Sequence, residues 1–121
     1  MFCRIINKTK GKVIAEKARV ANNFFSRLIG FMFRKNIDKD EAIIFYKAPS
    51  MHTFFMRVPI DIVFLDKNMK VIKTKTVRPY RIIFCKNSFV TIELKENKII
   101  EIPIEKEDLI EFCFVLNFYI I

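Results

Sequence analysis

The chain has 121 residues, a formal net charge of +9 and 52% hydrophobic residues. A chain of this length forms one domain and buries about two thirds of its unfolded surface, which is enough for a hydrophobic core. Only two glycines occur, which excludes a glycine-rich phosphate-binding loop and nucleotide hydrolysis of the P-loop kind. Apolar runs are shorter than the roughly 20 residues of a membrane span, and the N-terminus lacks a secretory signal pattern. We therefore expect one cytoplasmic domain over residues 1–121, without a membrane contact.

The first part of the chain predicts two strands and one helix. Apolar and β-branched residues predict strands over residues 3–7 and 13–20. From Asn22 onward, two capping residues precede apolar side chains that recur at helical spacing. We therefore predict a short amphipathic helix within residues 22–33, which Gly30 ends.

The remainder of the chain predicts short strands bounded by turn residues. Residues 60–65 are apolar on both faces apart from Asp61, which is typical of a central strand. Residues 89–94 alternate, with Thr91 and Glu93 on the side opposite the apolar positions. The other predicted strands cover residues 42–46, 53–57, 71–77 and 109–119. This pattern predicts a mainly β fold with minor α (α+β): a single compact β-barrel or sandwich-like domain with that one short helix.

Three cysteines, Cys3, Cys85 and Cys113, are far apart and odd in number, and none forms a CxxC pair. This spacing favours neither a disulfide framework nor a zinc site. We predict that all three are buried small hydrophobic residues in a reducing compartment. No metal and no cofactor is expected.

The charge is distributed unevenly along the chain. Residues 1–36 sum to +8 and residues 67–98 to +7, whereas residues 37–66 and 99–121 sum to −2 and −4. If the two basic segments share a face, that face can attract a nucleic acid or an acidic protein. The alternative is a lysine-rich surface that keeps an apolar protein soluble.

Four segments follow one another along the chain: RLIGFMFRKNI at residues 27–37, HTFFMRVPIDIVFLD at residues 52–66, RPYR at residues 78–81 and IELKEN at residues 92–97. In this order they resemble the signature of the DUF 192 family (domain of unknown function 192). The second segment is highly specific, since a chance match over so many positions is negligible. The resemblance covers roughly residues 13–112.

The resemblance implies a small, mainly β domain with minor helix, and it implies no reaction, because the family has none assigned. The sequence departs from the family pattern at turns. Lys95 and Asn97 replace a proline and a glycine, KNMK at residues 67–70 replaces an Asp-Gly turn, and residues 107–108 replace a Gly-Asp pair. These departures concern loop geometry more than the fold.

The candidate ligand-binding residues are His52, Arg57, Asp61 and Arg34. A carboxylate in an apolar strand needs a partner, and we predict that Asp61 is buried and bonded to Arg57 or Arg34. These groups either hold an anionic or zwitterionic ligand or form a structural ion pair. Histidine is the side chain that titrates nearest to neutral pH. His52 therefore serves either as a general acid/base or anion donor, or as a hydrogen-bonded residue at a strand start.

The aromatic and sulfur-containing residues beside His52 are predicted to lie in the core. Phe54, Phe55 and Met56 fit a packed interior better than a cofactor site. No catalytic residue is predicted, since HExxH, GxSxG and DxDxDG are absent from the sequence.

Three functions remain open from the sequence. The first is a non-enzymatic binding module with a polar pocket for a small anionic or zwitterionic ligand. The second is a basic interaction module for nucleic acid or an acidic protein, and the third is a cofactor-free hydrolase or isomerase. The uncharged segment at residues 115–121 is an aggregation hazard as an open edge, so it either pairs with strand 3–7 and closes the barrel or forms a homodimer.

Overall fold

The computed structural model describes residues 2–114, which form nine strands and two short helices. In chain order they are β1 (Phe2–Asn7), β2 (Lys12–Val20), α1 (Phe24–Ile29), β3 (Glu41–Tyr46), β4 (Ser50–His52), β5 (Ile60–Leu65), β6 (Val71–Val77), β7 (Ile82–Phe84), β8 (Val90–Lys95), α2 (Lys98–Glu101) and β9 (Ile110–Phe114). The predicted mainly β fold with one helix near residues 22–33 is confirmed.

Seven of the strands form one sheet in the order β6-β5-β8-β3-β2-β1-β9, which curls into a half-barrel. Neighbouring strands are antiparallel except β2 and β3, whose parallel register runs from Lys17–Glu41 to Val20–Ile44. Parallel neighbours require a crossover connection, and the segment that carries α1 supplies it. Strands β4 and β7 form a separate two-stranded ribbon.

The sheet is apolar on both of its faces, because each face packs against a separate hydrophobic cluster. One cluster includes Val90, Ile92 and Leu94 of β8. The other packs Phe31 and Phe45 against Met51 and Met56 from the β4 region. Every residue of β5 is buried, which confirms the prediction of a central strand, since β6 and β8 flank it.

Helix α1 begins and ends as the sequence predicts. The Asn23 side chain accepts a hydrogen bond from the Ser26 N–H at 2.9 Å, and Gly30 ends the helix with a φ of +48°. The amphipathic expectation is wrong, because none of its residues is buried and Phe24 and Phe25 are 73% and 70% exposed.

The strand predicted over residues 53–57 is wrong: β4 ends at His52 and the following residues form turns. The chain turns there because Phe55 adopts a left-handed φ of +61°, which a strand cannot accommodate. The core prediction is correct for Met56, which is buried, and wrong for Phe54 and Phe55, which are exposed.

Strand β9 pairs with β1 in antiparallel register, from Asn7–Ile110 to Cys3–Phe114. The predicted strand over residues 109–119 is therefore present in its described part. The prediction for residues 115–121 lies outside the described residues. Within residues 2–114, no helix is long and apolar enough to cross a bilayer.

Cys3 is buried and Cys113, on β9, is half-buried. Burial raises the pKa of the Cys3 thiol, and the nearby Cys113 thiol raises it further. The prediction of three buried cysteines thus holds fully for Cys3, while Cys85 is also only half-buried.

Candidate functional site

A cavity of about 90 Å³ lies between α1 and strand β4. Its walls are mostly apolar, with Phe31, Phe45, Met51 and Met56 among them. Three titratable side chains also line it: Arg27 of α1, His52 of β4 and Glu93 of β8. Three separate parts of the chain therefore bring charged or polar groups to one small space.

Glu93 is the most unusual group in the described part of the chain. Its side chain is 3% exposed, and its Oε1 atom has no hydrogen-bond partner. Burial raises the pKa of this carboxyl to about 8, although the charge of Arg19 and the backbone N–H of Phe31 both lower it. The carboxyl is thus mostly protonated at neutral pH, and it can donate a hydrogen bond as an acid does in a dry site.

Gly30 allows the carboxyl of Glu93 to occupy this position. A Cβ atom at Gly30 would lie 2.8 Å from Oε1 of Glu93, which is closer than real contacts allow. The residue also has a positive φ of +48°, which glycine adopts without cost. Gly30 therefore both ends α1 and leaves room for the buried acid.

Arg27 and His52 are half-buried on either side of the cavity. Arg27 donates from Nη1 to the carbonyl oxygen of Tyr46 at 2.9 Å, which fixes its guanidinium beside the sheet. The Nδ1 atom of His52 accepts a hydrogen bond from the Phe54 N–H at 3.1 Å. The ring proton of neutral His52 is therefore on Nε2, which is a donor.

Asp61 is fully buried, as predicted, but the predicted bond to an arginine is wrong. Its Oδ1 accepts from the Thr76 hydroxyl at 2.7 Å, and its Oδ2 accepts from the Ile99 N–H at 2.9 Å. Asn97, which begins α2, makes no side-chain cap, so Asp61 caps that helix from β5. These two donors satisfy the carboxylate without a cation.

The two predicted arginine ligands, Arg34 and Arg57, do not line the cavity. Arg34 forms a bidentate pair with Glu41 at 2.7 and 3.2 Å, and its hydrogen bond lowers the pKa of the Glu41 carboxyl. Arg57 is exposed on the turn after β4. Of the four predicted ligand residues, only His52 lines the cavity, and ligand binding by the four remains a prediction.

The two basic segments, residues 1–36 and 67–98, differ in the number of their cations that form ion pairs. In the described part of the chain, ion pairs involve four cations of residues 1–36, namely Arg4, Lys8, Lys10 and Arg34, and none of residues 67–98. The two segments are also separated within the sheet, because β3 lies between β2 and β8, the nearest strand of residues 67–98. They do not lie on neighbouring strands of one sheet face.

Comparison with known proteins identifies the family of this chain. The model of the DUF192 family, described as Uncharacterized ACR, COG1430, matches residues 5–112. The chain belongs to this family. It is 39% identical over 83 residues to a UPF0127 protein of Thermococcus sibiricus, an overlap of 64% of this chain and 53% of that protein. The chain thus spans about half the length of that DUF192 relative.

Two solved structures share the fold. One is a protein of unknown function from Novosphingobium aromaticivorans, with a TM-score of 0.78 at 19% identity over 90% of this chain and 83% of that chain. The other, from Sinorhizobium meliloti, bears the name "putative transcription regulator" and has a TM-score of 0.78 at 18% identity over 91% of each chain. At such identities the likeness shows the fold alone.

Sequence reasoning missed Arg27 and Glu93 as cavity residues. Both lie in segments that carry the resemblance to the DUF192 family, Arg27 at the start of RLIG and Glu93 within IELKEN. The alternation of β8 places Glu93 on one side of the strand, and that side looks solvent-exposed when the chain is read alone. The segment from α1 to Phe31 covers it, a contact that only the fold reveals.

Proposed function

We propose that this DUF192 domain is a non-enzymatic binding module that holds the carboxylate end of a small anionic or zwitterionic ligand in the cavity between α1 and β4. The observation that carries the proposal is the buried Oε1 atom of Glu93, which lines the cavity without a hydrogen-bond partner. An unsatisfied buried polar atom costs about 1–3 kcal/mol. A ligand oxygen that accepts from the protonated carboxyl removes this cost.

The chemistry around Glu93 favours a carboxylate. Arg27 contributes a guanidinium and His52 an Nε2 donor, while Glu93 contributes an acid proton below a pH of about 8. A carboxylate accepts hydrogen bonds through two oxygens, and charge-assisted bonds of this kind are the strong ones. The site therefore offers three donors to one anionic group.

The size of the cavity limits the ligand. Its volume of about 90 Å³ is well below the roughly 300–1,000 Å³ of sites for drug-sized molecules. The cavity accommodates only a carboxylate group and a few carbon atoms. The side chains of Met51 and Met56 contact those carbon atoms of the ligand. A larger ligand inserts one end and leaves the rest at the surface.

Titration calorimetry with a series of short-chain monocarboxylates tests this proposal. We expect binding at neutral pH that Arg27→Ala abolishes, whereas Arg4→Ala, which removes an exposed arginine far from the cavity, leaves it intact. Binding should weaken as pH rises through about 8, because an ionised Glu93 repels the ligand. Glu93→Gln keeps a donor without ionising, so it should bind equally on both sides of that pH.

The same titrations distinguish binding in the cavity from binding at the arginine site that the sequence predicts. If Arg57→Ala or Arg34→Ala abolishes binding while Arg27→Ala does not, the predicted arginine site is correct and the cavity is not the binding site. Absence of binding to every member of the series would contradict the carboxylate proposal.

A further inference from the structure

A row of exposed rings runs along the turn after β4 and the loop before β7. The ring of Phe54 stacks on His52 at 5.4 Å and lies 6.4 Å from the ring of Tyr80. Tyr80 lies 5.8 Å from Phe55, which in turn lies 5.8 Å from Phe33. We call these five residues the ring surface. Its outer members, Phe33, Phe55 and Tyr80, are 62%, 52% and 56% exposed.

The backbone holds these three outer rings in an unfavourable conformation. Phe33, Phe55 and Tyr80 have φ values of +66°, +61° and +61°. Bulky residues rarely occupy this left-handed region, and such outliers cluster at functional sites. Because the rings are exposed, burial in the core gives little compensation for the strain.

Thr53 fixes the two loops to each other. It is fully buried, and its hydroxyl donates to the carbonyl oxygen of Arg78 at 2.6 Å and accepts from the Arg81 N–H at 2.8 Å. Its own N–H donates to the carbonyl oxygen of Arg81, and its carbonyl oxygen accepts from the Tyr80 N–H, both at 2.8 Å. The rings are therefore held by a backbone network that is independent of their own packing.

Cations alternate with the rings along the chain. Arg57 follows Phe55 by two residues, and Arg78 and Arg81 flank Tyr80. Residues 67–92 contain seven basic side chains and no acidic one. Lys75, Arg78 and Arg81 line a groove of about 290 Å³ between β6 and β7, and these arginines form no ion pair with a described carboxylate.

We propose that the ring surface and its flanking arginines bind single-stranded nucleic acid, with bases stacked on Phe55 and Tyr80 and phosphates held in the groove beside Arg78 and Arg81. Exposed rings interleaved with cations form the platform that unpaired bases and their backbone require. This surface is separate from the ligand cavity apart from His52, so the two proposals stand independently.

Single-stranded nucleic acid fits better than an anionic bilayer. A membrane-inserting patch keeps its cations at the rim, while its apolar side chains enter the acyl region. Here Arg57, Arg78 and Arg81 lie one or two residues from the rings. Inserting the rings would therefore draw these cations toward the bilayer interior, where a charge is costly.

Fluorescence anisotropy of the full chain with a labelled single-stranded oligonucleotide of mixed sequence tests the proposal. We expect binding at about 50 mM salt that falls steeply toward about 200 mM. Phe55→Ala and Tyr80→Ala should each weaken binding roughly fivefold to a hundredfold, which corresponds to the loss of one stacked base, with the salt slope unchanged. The double variant Arg78→Ala/Arg81→Ala should reduce the slope of log affinity against log salt by about 1.4, as expected for two lost phosphate contacts.

Matched controls lie at the other end of the sheet. Phe2→Ala removes a ring that is 57% exposed on β1, and Lys12→Ala/Lys17→Ala removes two exposed cations of β2. Both should bind as the unmodified chain does, and a melting curve confirms that each variant is folded. Equal loss in the Phe2→Ala variant would overturn the proposal.

Two further results would also contradict it. Equal affinity for a duplex of the same sequence would show a general polyanion attraction without base stacking. Binding to vesicles of anionic lipid, lost in Phe55→Ala, together with no binding of the oligonucleotide at about 50 mM salt, would assign the ring surface to membranes instead.

Discussion

At the scale of single residues, Glu93 shows how burial changes the chemistry of a side chain. A glutamate on an exposed strand face is an ordinary anion at neutral pH. In this fold the segment after α1 covers it, and desolvation raises its pKa to about 8. The domain thus retains a buried acid with an unsatisfied oxygen, the atom at which we propose that the ligand binds.

The raised pKa of Glu93 makes stability depend on pH. The folded state keeps the proton between pH 4.5 and about 8, whereas the unfolded chain releases it, so this contribution to stability is fully present below 4.5 and is lost as pH rises. The free energy of unfolding should fall by up to about 1.4 kcal/mol per pH unit across this window. Chemical denaturation at a series of pH values measures this pH dependence of the free energy of unfolding. Glu93→Gln should remove this component of the slope, and Glu101→Gln, on an exposed side chain of α2, should keep it.

Gly30→Ala should destabilise the domain because a Cβ at this position collides with the Glu93 carboxyl at 2.8 Å and φ is +48°. We expect a loss of roughly 1–3 kcal/mol in the free energy of unfolding. Gly11→Ala is the matched control, since Gly11 has a similar φ of +64° but nothing within 4 Å of the added atom. Equal losses in both variants would show that the approach of Glu93 to Gly30 is unimportant.

At the scale of elements, Asp61 joins three parts of the fold. It lies in β5, accepts a hydrogen bond from Thr76 of β6 and caps the first turn of α2 through the Ile99 N–H. The cap explains how four residues form α2 without a capping side chain of their own. The fixed loops around Thr53 illustrate the same rule, because one buried polar side chain sets the geometry of two segments.

Asp61→Ala should lower the free energy of unfolding by about 2–4 kcal/mol, since it removes both hydrogen bonds and leaves the Ile99 N–H without its acceptor. Thr76→Val removes only the first bond and leaves Oδ1 of Asp61 without its donor, so it should cost about 1–3 kcal/mol, less than Asp61→Ala, with α2 intact. Urea denaturation compares the two variants. Equal costs would mean that the cap on α2 contributes nothing.

Phe55→Gly should leave the domain as stable as before or stabilise it by up to about 1 kcal/mol. Glycine relieves the strain at a φ of +61°, and the half-exposed ring contributes little burial. A thermal melt checks the direction. A marked loss of stability would show that the ring packs the fold and is not held for a partner.

At the scale of the whole molecule, the net charge of +9 exceeds what the ion pairs of the described residues offset. Like charges repel in the compact state, and Lys73 and Lys75 lie on the edge strand β6, with Arg78 and Arg81 in the loop that follows it. A surface of this charge is predicted to attract polyanions at low ionic strength, and its role in keeping the apolar chain soluble stays a prediction.

Salt should therefore stabilise the free domain. Screening weakens the repulsion between its cations more than it weakens the few exposed ion pairs. We expect the melting temperature to rise by a few degrees between about 10 mM and about 150 mM sodium chloride. Calorimetry at the two concentrations measures this, and an unchanged or lower melting temperature would contradict it.

The sequence by itself determined the elements whose signals are local. Periodicity located the strands around Asp61 and in β8, capping residues located α1, and the family motifs identified the domain. These features depend on neighbours within a few residues, so the chain alone carries them. The short elements β4, β7 and α2 were not predicted. The segment after His52 was predicted wrongly, because its aromatic residues are typical of a strand but Thr53 bonds hold the chain in a turn.

Only the tertiary structure decided which side chains meet. It separated Asp61 from the arginines and gave it Thr76 and Ile99, and it placed Glu93 beside Gly30 under the segment after α1. Sequence distance does not determine these contacts, since they join segments up to 63 residues apart through the crossover and the curl of the sheet. The two proposals depend on the raised pKa of Glu93 and on the strained backbone of the ring surface. Both result from burial and hydrogen bonding, which exist only after those segments have come together.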